Sequence, residues 1–283
     1  MKKTVNYIKK ALKGYYNDKE INSFIYIILE HLLNFSKVDT HTKHDKKIAD
    51  KKVLRVKEIV KQLKEYKPIQ YIIGETEFFE CKLKVTPDVL IPRQETEELV
   101  DWIIRDNKSK KLSILDVGTG SGCIAIALAK NLKKAKIDAF DNNEKTLKIA
   151  LKNSKINRVK VNFFAYDIFE QQSEEMQKYN IIVSNPPYIR ESEKEFMHDN
   201  VLKYEPHDAL FVPDENPLIF YEAISDFANK HLTENGKLYF EINENLAIEI
   251  TELLQRKNFI NIKIRKDIND KNRMVYARKW KLQ

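Results

Sequence analysis

The chain has 283 residues, 42% hydrophobic and 33% charged, a balance that excludes wholesale disorder at a length that suits one large domain plus a smaller one. Its formal net charge of +8 is unevenly placed: residues 1–75 hold 17 Lys+Arg against 9 Asp+Glu, whereas residues 76–283 hold 33 of each. A basic segment on a neutral body suits an acidic partner, nucleic acid or a ribonucleoprotein neighbourhood; it suits equally a solvated lysine-rich helical face.

Other classes fall away. The longest nearly apolar run, Phe24–Leu33, is interrupted by Glu30 and His31 and is too short to span a bilayer. No apolar stretch follows Met1-Lys2-Lys3, so no secretory leader is expected. Cys81 and Cys123 are the only cysteines, too few for a disulfide scaffold or a cysteine-rich zinc site, and no metal is expected. The expectation is a soluble, cytoplasmic protein, and a monomer, since no heptad or large exposed apolar helix demands a partner.

Residues 1–75 read as helices, with Val5, Ile8, Leu12 and Tyr15 recurring at three- and four-residue steps. Ile21, Phe24, Ile28 and Leu32 do the same, as do Val53, Val56, Ile59, Val60 and Leu63. The polar stretch Lys37–Asp50 reads as a loop. From Glu77 to Val85 the alternation is that of a short hairpin, and Pro87 and Pro92 bracket an extended segment. A helix is predicted over Thr96–Asp106. Strand and helix then alternate: strand Leu112–Val117, helix Cys123–Asn131, strand Lys136–Phe140, helix Glu144–Asn153, strands Val159–Ala165 and Asn180–Ser184. Helix Pro217–His231, strand Lys237–Ile242 and helix Leu246–Lys257 follow, then strands Asn261–Lys266 and Met274–Arg278. Such alternation gives a parallel sheet covered on both faces. The last connection, Asp267–Asn272, is too short for a crossover helix, so the final pair must be antiparallel. The predicted fold is α/β, a Rossmann-like seven-stranded sheet with an antiparallel last strand plus a small N-terminal helical domain. The division expected is 1–73 helical domain, 74–93 hairpin linker and 94–283 sheet domain.

Three constellations carry chemistry. Asp116-Val117-Gly118-Thr119-Gly120-Ser121-Gly122 lies between a strand and a helix, where glycines admit a sharp turn and a close ligand and the helix start offers free N–H groups. Cys123 stands where a dinucleotide fingerprint needs glycine, and no Gly-Lys-Ser/Thr follows to make a phosphate loop. A plain tight turn is the other reading. Asp141 ends the next strand, where a carboxylate accepts both hydroxyls of a ribose; it suits a helix N-cap as well. Asp167 lies at the same sheet edge, able to accept from an adenine amine with Ile168 packing on the ring, or to cap a loop. Third, strand Ile181–Ser184 runs into Asn185-Pro186-Pro187-Tyr188. Two prolines fix the backbone and remove two donors, so carbonyls are left to accept; Asn185 adds an acceptor and Tyr188 a flat face. The segment forms a slot for a planar group bearing NH2, an amide or an aminopurine, or else a stiff turn.

The glycine loop followed by Asn-Pro-Pro-Tyr resembles the S-adenosyl-methionine-dependent amino-methyltransferases. Pro68–Gly74, Ile91-Pro92-Arg93-Gln94-Glu95-Thr96-Glu97, Glu205–Phe211 and Phe240-Glu241-Ile242 narrow the resemblance to release-factor glutamine methyltransferases of the PrmC/HemK type, from about Pro68 onward. Family members often carry Pro where Gln94 stands, Gly where Asn243 stands and an aromatic residue where Ile168 stands. The resemblance implies methyl transfer from S-adenosyl-L-methionine to the side-chain amide nitrogen of the glutamine in the Gly-Gly-Gln motif of peptide chain release factors, leaving S-adenosyl-L-homocysteine. Asn185, Pro186 and Tyr188 are then the catalytic candidates. Gly118, Thr119, Gly120, Ser121, Gly122, Asp141, Asp167, Ile168 and Asn185 are the cofactor candidates, and Asn185, Pro186, Pro187, Tyr188, Arg93 and Glu95 the substrate candidates.

An amide lone pair is delocalised, so the slot must orient it by accepting both amide protons through Asn185 and the Pro186 carbonyl. No general base is required; His198 and His207 read as loop residues. DNA adenine methylation fits the same slot, but no insertion is long enough for a target-recognition domain. A non-catalytic RNA- or ribosome-binding protein is the third reading, against which Asn185 and Tyr188 stand intact.

Overall fold

A computed structural model describes residues 1–42, 46–108, 110–170 and 176–280. Residues 43–45 of the expected loop and 109, 171–175 and 281–283 of the expected sheet domain lie outside it. The chain divides into two compact units, Met1–Gly74 with His198–Tyr204, and the remainder from Glu75 on.

The first unit holds α1 (Lys2–Leu12), α2 (Asp18–Leu33), α3 (Lys37–Thr42), α4 (Asp50–Lys64) and α5 (Ile69–Ile73). Helix α2 starts on a reciprocal cap: Asn17 Oδ1 accepts from Glu20 N at 3.0 Å and Glu20 Oε2 from Asn17 N at 3.2 Å. The helices close on a core of Ile8, Leu12, Ile25, Ile28, Leu29, Ile59 and Leu63. Tyr15, expected inside, is exposed, and Ile25 and Leu29 are buried more deeply than Phe24 and Leu32. The expected loop 37–50 contains the short helix α3; Ser36 and Asp39 bond each other's backbone N–H at its start, each at 3.1 Å, a local cap that hydrophobic periodicity does not register.

The second unit opens with a hairpin, β1 (Glu75–Phe78) and β2 (Cys81–Lys84). Its two-residue turn puts Phe79 and Glu80 at φ of 44° and 60°, as a turn matching strand twist requires, and Glu97 Oε1 accepts from the Phe79 N–H at 2.8 Å. Helix α6 (Gln94–Asn107) and strand β3 (Ser113–Val117) follow, then α7 (Cys123–Asn131), β4 (Lys136–Asp141), α8 (Glu144–Ile156), β5 (Asn162–Ala165) and β6 (Tyr179–Ser184). After β6 come the short strand β7 (Ile189–Arg190), then α9 (Asp199–Tyr204), which groups with the first unit, where Tyr204 Oη donates to the Glu65 carbonyl at 2.9 Å. The chain ends with β8 (Phe211–Val212), α10 (Ile219–His231), β9 (Leu232–Glu241), α11 (Ala247–Arg256), β10 (Phe259–Lys266) and β11 (Asn272–Lys279).

Seven strands form one sheet in the order β10-β11-β9-β6-β3-β4-β5. β9, β6, β3, β4 and β5 are parallel, while β11 runs antiparallel to both its neighbours. This is the predicted Rossmann-like sheet with its antiparallel last strand. One face packs Leu115, Ile182, Leu238 and Phe240 under α10 and α11; the other packs Ile114, Ile181, Val183 and Tyr239 under α6 and α7. The small parallel pair β7·β8 has no counterpart in the sequence reading, because two-residue strands leave no periodicity.

The hairpin is tied down by one fully buried side chain. Asn153 of α8 accepts from Lys84 N at 2.7 Å and donates to Lys84 O at 3.0 Å and Ser121 O at 2.9 Å. It thereby links β2, α8 and the glycine loop. Asn153→Asp keeps the shape but loses both donors and faces two carbonyls with a charge. It should lower unfolding free energy by about 2–4 kcal/mol, read from urea denaturation; a stability equal to the parent's would remove this tie from the fold.

Candidate active site

A cavity of about 630 Å³ opens where β3, β4, β5 and β6 reach their carboxyl ends, the edge at which open parallel sheets bind ligands. Its floor is the glycine loop. Gly118 and Gly120 have φ of 66° and 56°, and a Cβ on either would meet no atom within 4 Å. The missing side chains leave room that belongs to the cavity. Gly122 differs: at φ 82° its added Cβ would lie 3.0 Å from Ile126 Cδ1 and 3.1 Å from Ala150 Cβ. It serves the packing of α7 on α8 and does not line the cavity.

Asp141 closes the loop from the side. Its carboxylate accepts from Gly120 N at 2.9 Å and Asn143 N at 3.1 Å, while Asn143 caps α8 through Lys145 N. Burial pushes the Asp141 carboxyl above its usual range, against the pull of these backbone donors. Asp141 lines the cavity, and one backbone donor on each oxygen leaves its carboxylate lone pairs to spare. Asp167 and Ile168 line the same wall; Asp167 also bonds Phe169 N at 2.9 Å. Beside them Phe169 and Phe220 meet at 4.9 Å, tilted by 58°, and both line the cavity. These rings stand beside Ile168, to which the sequence gives the packing against an adenine ring. Phe220 belongs to α10, far along the chain, and no local motif marks it.

Asn185, Pro186 and Pro187 line the opposite end, with Arg93 and Thr96. Asn185 Nδ2 donates to Thr96 Oγ1 at 3.2 Å, Thr96 Oγ1 donates to Glu241 Oε2 at 2.6 Å and Tyr188 Oη donates to Glu241 Oε1 at 3.0 Å. Glu241 is 1% exposed, and burial pushes its carboxyl up against the hydroxyl donors and Arg273. Among the described residues no donor meets Asn185 Oδ1 or the Pro186 carbonyl. Tyr188 is turned away: it packs on the core under α10 and does not line the cavity. Nor does Glu95. Arg93 bonds Glu205 Oε1 at 2.7 Å, and Glu205 Oε2 accepts from Ile91 N at 3.2 Å, so the guanidinium that reaches the cavity is already paired. Asn243 Nδ2 donates to the Tyr188 carbonyl at 3.2 Å; at φ −65° the site needs no glycine there.

The charge of the cavity is one-sided. Among the described residues Asp88, Asp141, Asp167 and Asp208 line it against the single cation Arg93, which suits a cationic ligand. Cys123 also lines it, but burial pushes its thiol to about 12, so it is no nucleophile. No group of three or more His, Cys, Asp or Glu able to hold a metal occurs among the described residues.

Comparison with known proteins gives the class first. Residues 96–205 match the family Methyltransferase small domain, and residues 3–74 match the PrmC N-terminal domain. A methyltransferase from Pyrococcus furiosus has the same sheet at TM-score 0.53 and 18% identity, over 72% of this chain and 91% of that one. The Thermus thermophilus 16S rRNA N2 G1207 methyltransferase, solved with AdoMet and guanosine, gives 0.53 at 18%, over 72% and 49%. These two show the fold, a Rossmann-like sheet, and the family match over residues 96–205 gives the class, a methyltransferase. The sequence relatives are more specific. The release factor glutamine methyltransferase of Flavobacterium psychrophilum is 49% identical over 94% of both chains, and that of Bacteroides thetaiotaomicron 40% over 98% of this chain and 99% of its own. The chain belongs to the release factor glutamine methyltransferase family.

Beneath the loop Asp116 is fully buried. Its Oδ2 accepts from Thr119 Oγ1 at 2.6 Å and Ala125 N at 3.2 Å, and Oδ1 has no partner among the described residues. Burial pushes the carboxyl up to about 7, from about 3.9 in an unfolded chain. The folded state thus binds this proton more tightly. Its contribution is present below about pH 4 and is lost as pH rises through 7. Asp116→Asn keeps an acceptor for both bonds and removes the charge. Relative to the parent, the variant should gain about 2–4 kcal/mol between pH 4 and pH 8, read from urea unfolding at both. A difference that does not change with pH would contradict the buried charge.

Proposed function

We propose that this chain methylates the side-chain amide nitrogen of the glutamine in the Gly-Gly-Gln motif of peptide chain release factors, and so tunes translation termination. The observation that carries the reading is the pair of unpartnered acceptors, Asn185 Oδ1 and the Pro186 carbonyl, at one end of a cavity floored by bare glycines. The donor is S-adenosyl-L-methionine and the product S-adenosyl-L-homocysteine. The residues present fit the cofactor: open space over Gly118 and Gly120, Thr119 and Ser121 beside them, Asp141 for the ribose hydroxyls, and Asp167, Ile168, Phe169 and Phe220 for the adenine. The acidic lining suits its positive charge. When bound, S-adenosyl-L-methionine supplies an electrophilic methyl group on a sulfonium.

The chain's own part is positioning. Asn185 Oδ1 and the Pro186 carbonyl each accept one amide proton, which holds the nitrogen with its lone pair directed into the cavity. These acceptors gain strength as the amide protons become acidic, and one of those protons is shed to solvent once the nitrogen carries the methyl group. Pro187 stiffens the slot. Tyr188 supports it from outside the cavity through Glu241. Arg93 and Glu95 belong to the substrate entrance in this reading, Arg93 at the rim, held by Glu205.

In functional terms the chain divides into 1–73 for docking, 74–93 as a hairpin linker and 94–283 for methyl transfer. The protein works as a cytoplasmic monomer close to the ribosome or its RNA. No helix among the described residues is long and apolar enough to cross a membrane. Lys2, Lys3, Lys9, Lys10 and Lys13 are all exposed along α1 and just beyond it, and this face is assigned to an acidic surface of the release factor. Reversing Lys9, Lys10 and Lys13 to Glu should raise the Michaelis constant for whole release factor about three- to tenfold and leave cofactor affinity unchanged. An unaltered constant would reduce the face to solvation.

Asn185 tests the reading itself. Asn185→Ala removes the acceptor without adding bulk and should lower turnover about a hundredfold or more. Asn185→Asp still accepts and should retain more activity than the alanine variant. Its charge stabilises the sulfonium of the ground state more than the dispersed charge of the transition state, so it should stay below the parent. Methylation of release factor by Asn185→Ala at the parent rate would reduce Asn-Pro-Pro-Tyr to a stiff turn.

A further inference from the structure

Thr96 and Glu241 are not required by the slot as described, yet the geometry binds them to it. Both side chains are buried, Thr96 at 2% exposure and Glu241 at 1%. They come from α6 and the end of β9. A threonine hydroxyl carries a single proton. Here that proton lies on a 2.6 Å bond to Glu241 Oε2, a length typical of a charge-assisted bond. Toward Asn185, therefore, Thr96 Oγ1 has only lone pairs to offer. The amide of Asn185 must present its NH2 to Thr96, as it does at 3.2 Å, which leaves Oδ1 as the end free to accept. The second Glu241 oxygen takes the Tyr188 hydroxyl at 3.0 Å, so the carboxylate receives a donor on each side.

We infer that Thr96 and Glu241 are positioning residues that set the amide direction of Asn185: the carboxylate orients the hydroxyl, and the hydroxyl selects which end of the amide faces the substrate. A reversed Asn185 would set its oxygen against the lone pairs of Thr96 and turn two N–H donors toward a substrate that brings two of its own. The inference rests on the amide-slot reading, in which Asn185 Oδ1 accepts a substrate proton. Nothing in the local sequence announces it: Thr96 and Glu241 are 145 residues apart.

Thr96→Val keeps the shape and abolishes the hydroxyl; Thr96→Ser keeps the hydroxyl. Each is to be made in the parent chain and in Asn185→Ala. The measurements are turnover and Michaelis constant on whole release factor, cofactor affinity by calorimetry and the thermal midpoint. In the parent background Thr96→Val should lower turnover about ten- to a hundredfold, with cofactor affinity unchanged, while Thr96→Ser stays within about threefold. In the Asn185→Ala background Thr96→Val should have no further effect, because the amide through which it acts is gone. Should Thr96→Val not unfold cooperatively, Thr96→Ala gives the same comparison. A full parental rate for the variant lacking the hydroxyl, or the same proportional loss in both backgrounds, would overturn the inference. A parental rate for Asn185→Ala alone would instead overturn the slot reading on which it rests.

Discussion

A buried carboxylate that receives two hydroxyls ties together the end of the cavity where Asn185 lies. Glu241, the last residue of β9, takes Thr96 from α6 on one oxygen and Tyr188 from the loop after β6 on the other. Removing a carboxylate from water is costly unless each lone pair finds a partner, so its burial dictates what the three elements bring to it. The sheet sets the place of Glu241, and Glu241 in turn fixes the loop that carries Asn185. Tyr221 Oη donates to the Glu241 carbonyl at 3.1 Å and brings α10 to the same point. Arg273 of β11 adds positive charge nearby and is itself held by Asp267 Oδ2 at 3.0 Å.

The opposite end of the cavity depends on backbone rather than side chains. Three successive glycine positions serve two ends: Gly118 and Gly120 leave room, and Gly122 lets α7 lie on α8. Asp141 draws the turn shut through Gly120 N, and Asp116 holds it from beneath through Thr119 and Ala125. Two carboxyls raised by burial thus frame a loop with open space above Gly118 and Gly120. An acidic, half-closed cavity of this kind suits a cation with a flat aromatic end.

Much of the sheet was legible because buried parallel strands leave apolar runs between helical periods, as in Ile181–Val183. Edges were less so: β9 begins at Leu232, five residues before the predicted start, because Thr233–Gly236 carries no apolar pattern. α3 was missed because its start is a side-chain cap, and β7·β8 because two residues have no period. The site was legible where a motif is contiguous, as in Gly118–Gly122 and Asn185–Tyr188. It was not legible where the fold assembles distant residues: Phe220 against Phe169, Glu205 on Arg93, and Glu241 behind Asn185 through Thr96. Tyr188 shows the limit within a motif, since its spacing gives a flat face but not its direction, and the hydroxyl partner at Glu241 turns it from the cavity.

On the proposed function the slot reads a primary amide by its two N–H donors, and the methyl group goes to that nitrogen. Tandem mass spectrometry of release factor, after incubation with the enzyme and S-adenosyl-L-methionine carrying a labelled methyl group, tests this directly. The expected result is one label, on the side-chain nitrogen of the Gly-Gly-Gln glutamine, and none when that residue is glutamate. A label on a lysine, a backbone nitrogen or the glutamate carboxylate would contradict it.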